Sequence, residues 1–179
     1  MDLEFCASSL YQSPSVPQTW YPEPHTSLTL MPRWTLYLLE GSLSRQQKDD
    51  LAMKITKLYT ELGIPAFWVN VFFNEFSAEG GGFYSGGKSP HNSIFFHIDH
   101  AARRFESEEQ RGSFIAAVDA IVRPILGENS FKWEFNIYEH PADNWRINGM
   151  VPPVHNPEIL REWTEKDAPI PYEVDGLSA

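Results

Sequence analysis

The chain has 179 residues, 42% of them apolar and 14% aromatic, which suits one folded domain and excludes a wholly disordered chain. Lys and Arg number 14 against 24 Asp and Glu, and the resulting net charge of −10 argues against nucleic acid and membrane surfaces as partners. Cys6 is the only cysteine, so an intrachain disulfide and a cysteine-based zinc cluster are both excluded. Without a spanning stretch or a secretory signal pattern, we expect a soluble cytoplasmic protein.

The first thirty residues differ in composition from the rest. They contain four prolines, many serines and threonines, and no lysine or arginine. They also lack helical and strand periodicity. We therefore expect residues 1–30 to form an extended or disordered arm and residues 31–179 to form the domain, with a lid or tail at its C-terminal end.

The domain opens with a predicted strand at 33–39, which is short and rich in β-forming residues. Ser44 and Gln47 form a capping-box signature for the start of a helix. Apolar residues at helical spacing continue that helix until Gly63, namely Leu51, Ile55, Leu58 and Leu62. Residues 66–76 predict a second strand, apolar enough to be buried on both faces.

The second half repeats this plan, with predicted strands at 93–99 and 131–138. Ser107 and Gln110 form another capping-box signature between these strands. The apolar face of the predicted helix consists of Phe114, Val118, Ile121, Val122 and Ile125. Pro124 predicts a bend or a 3₁₀ last turn.

Two βαβ units of nearly equal length, about 32–76 and 93–138, indicate an internal duplication. Each crossover joins two parallel strands. The predicted fold is α/β (α+β), with a four-stranded, mainly parallel-paired sheet and two helices on one face. The other face of the sheet would be uncovered in a single chain, and we expect association with other subunits to bury it.

Gly82 to Ser89 matches the P-loop pattern G-x-x-x-x-G-K-[ST]. A P-loop requires a helix that begins at the lysine and binds phosphate at its N-terminus. Here Ser89 is followed by Pro90 and a predicted strand. A glycine-rich turn between the two halves is therefore favoured over nucleotide binding.

His97, Asp99 and His100 form an H-x-D-H cluster on a predicted strand. Strand alternation puts His97 and Asp99 on one face and His100 on the other. No spacing points to a third ligand, so hydrogen-bonded histidines are favoured over a metal site. Arg103 and Arg104 follow at the strand's C-terminal end, where they suit a carboxylate or enolate, or form a solvated basic pair.

Several motifs occur in order between Met31 and about Tyr172. They are Met31-Pro32-Arg-Trp, the run 55–69, Tyr84-Ser-Gly-Gly-Lys88, His100-Ala-Ala-Arg103, Trp133-Glu-Phe, and the run 145–153. Together they resemble the tautomerase superfamily, and in particular the fungal oxalocrotonate tautomerase group related to cis-3-chloroacrylic acid dehalogenase. The resemblance implies a tandem βαβ fold, a homotrimer whose subunits cover the sheets, a small-molecule substrate, no cofactor, and catalysis by an N-terminal proline.

An N-terminal proline is a secondary amine, and an apolar pocket lowers the pKa of such an amine from about 8 towards neutrality. It can then move a proton between a carbon and an enol oxygen near pH 7. By the resemblance, Pro32 is the base and Arg103 or Arg104 binds the anion, with Tyr59 and Asn148 as polar partners. Further candidates for substrate binding are Trp145, His97 and Phe135. The segment 145–153 suits either a shaped lid or a plain packed loop.

The sequence departs from the dehalogenase pattern. Tyr59 occupies the position of a histidine that helps activate water in those relatives. Phe135 and Ile147 occupy the positions of a tyrosine and a glutamate, which disfavours hydrolytic dehalogenation. Phe95 replaces an arginine that many close relatives carry, so substrate recognition is expected to differ.

Thirty-one residues precede Pro32, and its nitrogen is then an amide without basicity. If the chain starts at Met31, removal of this methionine exposes the amine, and we expect a tautomerase or isomerase. If the arm is retained, Pro32 is structural. The alternatives are then proline-independent isomerisation or cyclisation of a small metabolite, or a non-catalytic trimeric binding or scaffold protein.

Overall fold

The structure is a computed structural model that describes residues 30–89, 92–102, 105–141 and 144–173, without the side chains of residues 30, 31, 101 and 102. The predicted arm therefore lies outside the described residues, except for the backbone of Leu30. Arg103 and Arg104, the predicted anion binders, also lie outside them.

Four strands form one mixed sheet in the order β2–β1–β3–β4. β1 (Leu30–Leu39) runs parallel to β2 (Asn70–Phe76), and β3 (Ser93–Ala102) runs parallel to β4 (Lys132–His140). β1 and β3 are antiparallel at the centre of the sheet. The predicted α/β (α+β) fold with tandem βαβ units is confirmed.

Each crossover helix begins at its predicted serine. Before α1 (Arg45–Thr60), the Ser44 side chain accepts a hydrogen bond from Gln47 and the Gln47 side chain accepts one from Ser44, which completes the capping box. Before α2 (Glu108–Leu126), the Ser107 side chain likewise accepts a hydrogen bond from the N–H of residue 110. These caps satisfy N–H groups that have no partner within the helix.

The two helices end differently. Gly63 follows α1 with a φ of 81°, in the left-handed region that glycine adopts at little cost. Gly127 follows α2 with a right-handed φ of −68°, and its N–H donates to Arg123. α2 remains α-helical through Leu126, so the 3₁₀ last turn predicted from Pro124 does not form.

The core lies between the sheet and the helices. Even-numbered side chains of β1 and β3 face the helices and are almost fully buried, namely Trp34, Leu36, Leu38, Ile94, Phe96 and Ile98. From α1 and α2 they meet Leu51, Ile55, Tyr59, Phe114, Val118 and Val122. We call the opposite side of the sheet the open face; it carries the alternate side chains, including Arg33, Thr35, Tyr37, Phe72, Phe95, His97, Asp99, Asn136, Tyr138 and His140.

β2 is an edge strand whose residues alternate between exposed and half-buried as far as Asn74, after which Glu75 is exposed as well. Phe72 on the open face is 47% exposed. The prediction that this segment is buried on both faces is therefore wrong for the single chain. The predicted strand 66–76 is also shorter than expected, because Ala66–Trp68 forms a 3₁₀ turn.

A third helix, α3 (Pro157–Lys166), stands where the sequence suggested a lid or tail. The Asn156 side chain caps it, and proline occupies its first turn. Trp163 is buried at an edge-to-face angle to Trp68, with ring centroids 5.8 Å apart. Within the described residues, no helix is long and apolar enough to cross a membrane.

Candidate active site

Pro32 lies near the N-terminal end of β1, opposite His100 of β3. β2 begins opposite Arg33, so β1 has only β3 as a neighbour at this point. A proline is tolerated there because its missing N–H is not required by a second strand. Pro32 is buried, and Met31 and Leu30 extend the strand beyond it by pairing with residues 101 and 102.

His100 faces the helices and is 3% exposed. Its ring stacks on Phe105 at a centroid distance of 5.1 Å and lies 5.0 Å from the ring of Phe114. Burial lowers the pKa of His100 from 6.5 to about 4, because an imidazolium cation is poorly solvated among these rings. Within the described residues Nδ1 has no hydrogen-bond partner, which departs from the expectation that the histidines are hydrogen-bonded.

Tyr59 is fully buried on the helical side of the sheet. Its hydroxyl accepts a hydrogen bond from Trp34 Nε1 at 3.0 Å. Burial raises the pKa of Tyr59, since a phenolate would lie in the apolar core. In the single chain this side chain is thus a neutral core group that satisfies the tryptophan.

Phe135 also lies on the helical side. Its ring stacks on Phe96 at 5.1 Å and on Trp133 at 6.2 Å. It is half-buried against the core. In the strand register it lies level with Phe96 and Leu36, four residues from the end of the sheet at which Pro32 lies.

Asn148 and Gly149 form the two-residue turn of a small hairpin, in which Ile147 and Met150 exchange backbone hydrogen bonds. Their φ angles are 50° and 81°, both in the left-handed region typical of a type I′ turn. Asn148 is exposed at the tip of this hairpin. Turn geometry alone accounts for an Asn-Gly pair here.

The rest of the segment 145–153 is packed. Pro152 and Pro153 are buried, and the Tyr172 hydroxyl donates to Val151 O at 2.7 Å. Of the two interpretations that the sequence left open, the structure therefore favours a packed loop over a free lid.

The open face carries a polar cluster at the end of the sheet where Pro32 lies. His140 Nε2 lies 2.9 Å from Asp99 Oδ1, and His97 Nε2 lies 3.9 Å from Asp99 Oδ2. The Arg33 guanidinium stacks over the Trp145 ring at 4.9 Å. The Trp145 and His140 rings are 6.5 Å apart. We call these five residues the open-face cluster.

The sheet separates the predicted site residues into two groups. Tyr59 and Phe135 lie on the helical side and His97 lies on the open face, whereas Trp145 contacts Arg33 and also packs partly against the core. Asn148 lies apart at its turn. The catalytic and substrate-binding roles of these residues therefore stay predictions.

The sequence patterns did not point to His140 as a partner of Asp99, nor to Arg33 as a partner of Trp145. His140 reaches Asp99 because residue 101 pairs with His140 in the β3–β4 register. A separation of 41 residues carries no local signal for such a contact. Among the described residues, no group of three or more His, Cys, Asp or Glu is arranged to hold a metal ion.

The segment that matches the P-loop pattern forms a second hairpin, closed by hydrogen bonds between Ser85 and Lys88. Gly86 and Gly87 occupy its turn with φ angles of 60° and 76°. No helix begins at Lys88, and the next element is β3. The interpretation as a glycine-rich turn is confirmed.

Comparison with known proteins identifies relatives over most of the chain. A family described as "Putative oxalocrotonate tautomerase enzyme" matches residues 31–168. The structure of a probable enzyme from the thermophilic fungus Aspergillus fumigatus is 35% identical, with a TM-score of 0.76 over 80% of this chain and 99% of that one. Native RhCC from Rhodococcus jostii RHA1 is 30% identical, with a TM-score of 0.72 over 78% of this chain and 99% of that one.

A more distant structure shares the fold. It is N1, a member of the cis-3-chloroacrylic acid dehalogenase family, at 17% identity and a TM-score of 0.55, over 75% of this chain and 99% of that one. No curated protein sequence matches this chain. The extent of the family match shows that the chain belongs to the oxalocrotonate tautomerase family of the tautomerase superfamily.

Proposed function

We propose that the protein is a cofactor-independent, cytoplasmic tautomerase that moves a proton on an enolisable or α,β-unsaturated carbonyl compound bearing a carboxylate. Pro32 is the base when its nitrogen is the chain terminus. The observation that carries this proposal is the start of the family match at residue 31, which makes Pro32 the second residue of the matched domain. A chain that begins at Met31 would lose this methionine and expose a secondary amine.

The surroundings of Pro32 support this role. Burial beside His100 gives an amine there an apolar setting, which disfavours its protonated form and brings its pKa towards neutrality. A neutral secondary amine takes a proton from carbon and returns it to oxygen without a cofactor. In this proposal Arg103 or Arg104 binds the substrate carboxylate, and Tyr59 and Asn148 are polar partners of the substrate.

A homotrimer is part of the same proposal. Phe72 and Tyr138 leave large apolar surface on the open face, 47% and 50% exposed in the single chain. A second copy of the chain would cover it. A fused 4-OT structure, 19% identical, is named an asymmetric trimer.

The experiment compares two chains, one that starts at Met1 and one that starts at Met31. Phenylenolpyruvate, an enol acid, serves as the substrate, and intact mass establishes the first residue of each protein. In the chain with Pro32 at its terminus, Pro32→Ala should lower kcat/KM at least ~100-fold, the contribution typical of one proton-transfer group. Pro171→Ala is the matched control, because Pro171 is exposed in the C-terminal segment.

The proposal fails if Pro32→Ala retains the parent's turnover. Protein purified from its native host gives a second test. If its first residue is Met1 or Asp2, Pro32 is not the amine catalyst in that organism.

One observation favours a second candidate. Leu30 and Met31 continue β1 beyond Pro32 and pair with β3, as expected for an arm that is retained. With the arm in place the Pro32 nitrogen is an amide, and activity must come from other groups. This candidate is a proline-independent isomerisation or cyclisation of a small metabolite; a trimeric binding protein would give no turnover with either chain.

A further inference from the structure

We propose that the open face joins copies of this chain only while His97 and His140 are not both charged, so that mild acidification separates the copies. The inference rests on the homotrimer of the proposed function, in which a second copy buries this face. It adds a condition to that assembly, because the charge on two histidines then decides whether the copies stay together.

The edge strands indicate how much of the open face a second copy covers. Phe72 of β2 and Tyr138 of β4 are 47% and 50% exposed, and these two strands form the opposite edges of the sheet. A partner that buries both side chains must therefore extend across β1 and β3. His97 lies on this path, since the register aligns Phe72 with Thr35 and Thr35 with His97, and the His97 ring is 5.8 Å from the Tyr138 ring.

The charges on this face balance when the histidines are neutral. On the described strand residues, the cations of the open face are Arg33 and Lys132, and the anions are Asp99 and Glu134. The chain as a whole has a net charge of −10, so its acidic excess lies elsewhere. A face without net charge is the surface on which two acidic chains meet with the least repulsion, which favours a second copy as its occupant.

One carboxylate lies between the two histidines. His140 Nε2 is 2.9 Å from Asp99 Oδ1, and His97 Nε2 is 3.9 Å from Asp99 Oδ2. The Asp99 side chain is only 18% exposed in the single chain. Asp99 can balance the charge of one imidazolium. A second imidazolium leaves the group with a positive charge that a buried interface does not tolerate well.

The other neighbours of His97 do not compensate a second charge. Its ring lies 5.6 Å from the ring of Tyr37 on β1 and 5.8 Å from that of Tyr138 on β4, and both phenols are neutral at this pH. The segment between β2 and β3 also packs on the open face, and its described residues add one charge of each sign, Glu79 and Lys88.

His140 has cations as its further neighbours. Its ring is 6.5 Å from the Trp145 ring, over which the Arg33 guanidinium lies at 4.9 Å. Arg146 follows Trp145 and donates a hydrogen bond to its carbonyl oxygen. On β4, Glu134 is two residues from Lys132 and already has a cation beside it. The described surroundings therefore favour one imidazolium at Asp99 and oppose two.

The sign of the effect follows from proton linkage. Histidine side chains ordinarily take up a proton at about pH 6.5. A separated chain exposes both imidazoles to water, whereas the assembled face excludes the second proton. The separated chain then binds more protons, so the assembly weakens as the pH falls.

The size follows from the number of excluded protons. One excluded proton per copy means about three per trimer, and each changes the dissociation constant ~10-fold per pH unit. The dissociation constant of the trimer therefore rises roughly 1,000-fold per pH unit below pH ~6.5. Because this constant contains the concentration squared, the midpoint concentration of dissociation rises about 30-fold.

Sedimentation of the full-length chain over a range of concentrations tests this at about pH 8, 6.5 and 5.5 and constant ionic strength. The parent should be a trimer at pH 8, and its midpoint concentration should rise about 30-fold between pH 6.5 and 5.5. Circular dichroism establishes that the chain stays folded at the lowest pH. This series needs no substitution and decides the inference even if a variant fails to assemble.

Single variants identify the histidines. His97→Gln and His140→Gln each leave one imidazole, whose charge Asp99 balances, so each midpoint should change less than about threefold over the same interval. His155→Gln is the matched control, because His155 is exposed in the loop before α3, away from the sheet strands. This control should dissociate as the parent does.

The inference is overturned if the midpoint of the parent stays constant between pH 6.5 and 5.5, or if both His97→Gln and His140→Gln follow the parent. A parent that is monomeric at pH 8 at every concentration contradicts the homotrimer itself and the inference with it. The proline base is tested separately by Pro32→Ala in the chain that starts at Met31, and its failure leaves the sedimentation result unchanged.

Discussion

His100 should make the folded chain less stable as the pH falls, and His100→Phe should remove this effect. The imidazole lies between the rings of Phe105 and Phe114, where burial lowers its pKa from 6.5 to about 4. Phenylalanine has a similar shape and suits these neighbours. It also removes Nδ1, a buried polar atom without a partner among the described groups.

The sign and size follow from proton linkage. Between about pH 6.5 and pH 4 the unfolded chain binds a proton at His100 and the folded chain does not. The free energy of unfolding therefore decreases as the pH falls through this window. One pKa unit corresponds to ~1.4 kcal/mol, so the shift to about 4 amounts to roughly 3 kcal/mol, present in full above pH ~6.5 and lost near pH 4.

Urea unfolding at several pH values from about 7 to 4.5 measures this effect. The parent should lose about 2.5 kcal/mol more than His100→Phe over that range, because the series stops about half a unit above the pKa of His100 in the folded chain, while carboxylates that titrate in both proteins cancel in the difference. His155→Gln, which removes an exposed histidine, should follow the parent. Parallel curves for the parent and His100→Phe would refute the reasoning.

Two further predictions concern stability at neutral pH, again measured by urea unfolding. Tyr59→Phe should lower the free energy of unfolding by about 1–3 kcal/mol, because buried Trp34 Nε1 loses its acceptor. The control Tyr84→Phe changes an exposed tyrosine and should alter this free energy by less than ~0.5 kcal/mol. Equal effects of the two variants would contradict this role of the Tyr59 hydroxyl. Gly112→Ala in α2 should raise stability by ~0.5–1 kcal/mol, since nothing lies within 4 Å of the added Cβ. Gly149→Ala should instead lower it by about 1–2 kcal/mol, since its φ is 81°; a change of the same sign in both glycine variants would be inconsistent with this explanation.

The sequence predicts the parts of this fold that depend on neighbours along the chain. Ser44 and Ser107 begin their helices because a cap needs only a hydroxyl and an N–H three residues later. The same reasoning could have found α3, since Asn156 and Pro157 are typical of a helix start. That helix was missed because the C-terminal segment was interpreted only as a lid or tail.

The two sides of the sheet are harder to predict. Tyr59 is four residues after Ile55 on the apolar stripe of α1, so helical periodicity alone places it in the core. The family resemblance instead suggested a catalytic partner. His140 could not have been paired with Asp99, because their contact depends on the register of two strands separated by a whole helix.

The duplicated fold explains why the candidate polar groups lie together at one end of the sheet. Because β1 and β3 are antiparallel, the N-terminal end of β1 lies beside the C-terminal end of β3, and β4, parallel to β3, ends at the same edge. Strand alternation then sends Pro32 and His100 towards the helices, and Arg33, Asp99 and His140 towards the open face. A single edge thus presents two sets of groups on opposite sides of the sheet. In the chain that carries residues 1–31 the nitrogen of Pro32 is an amide, whereas the hydrogen bond between Asp99 and His140 on the open face is present.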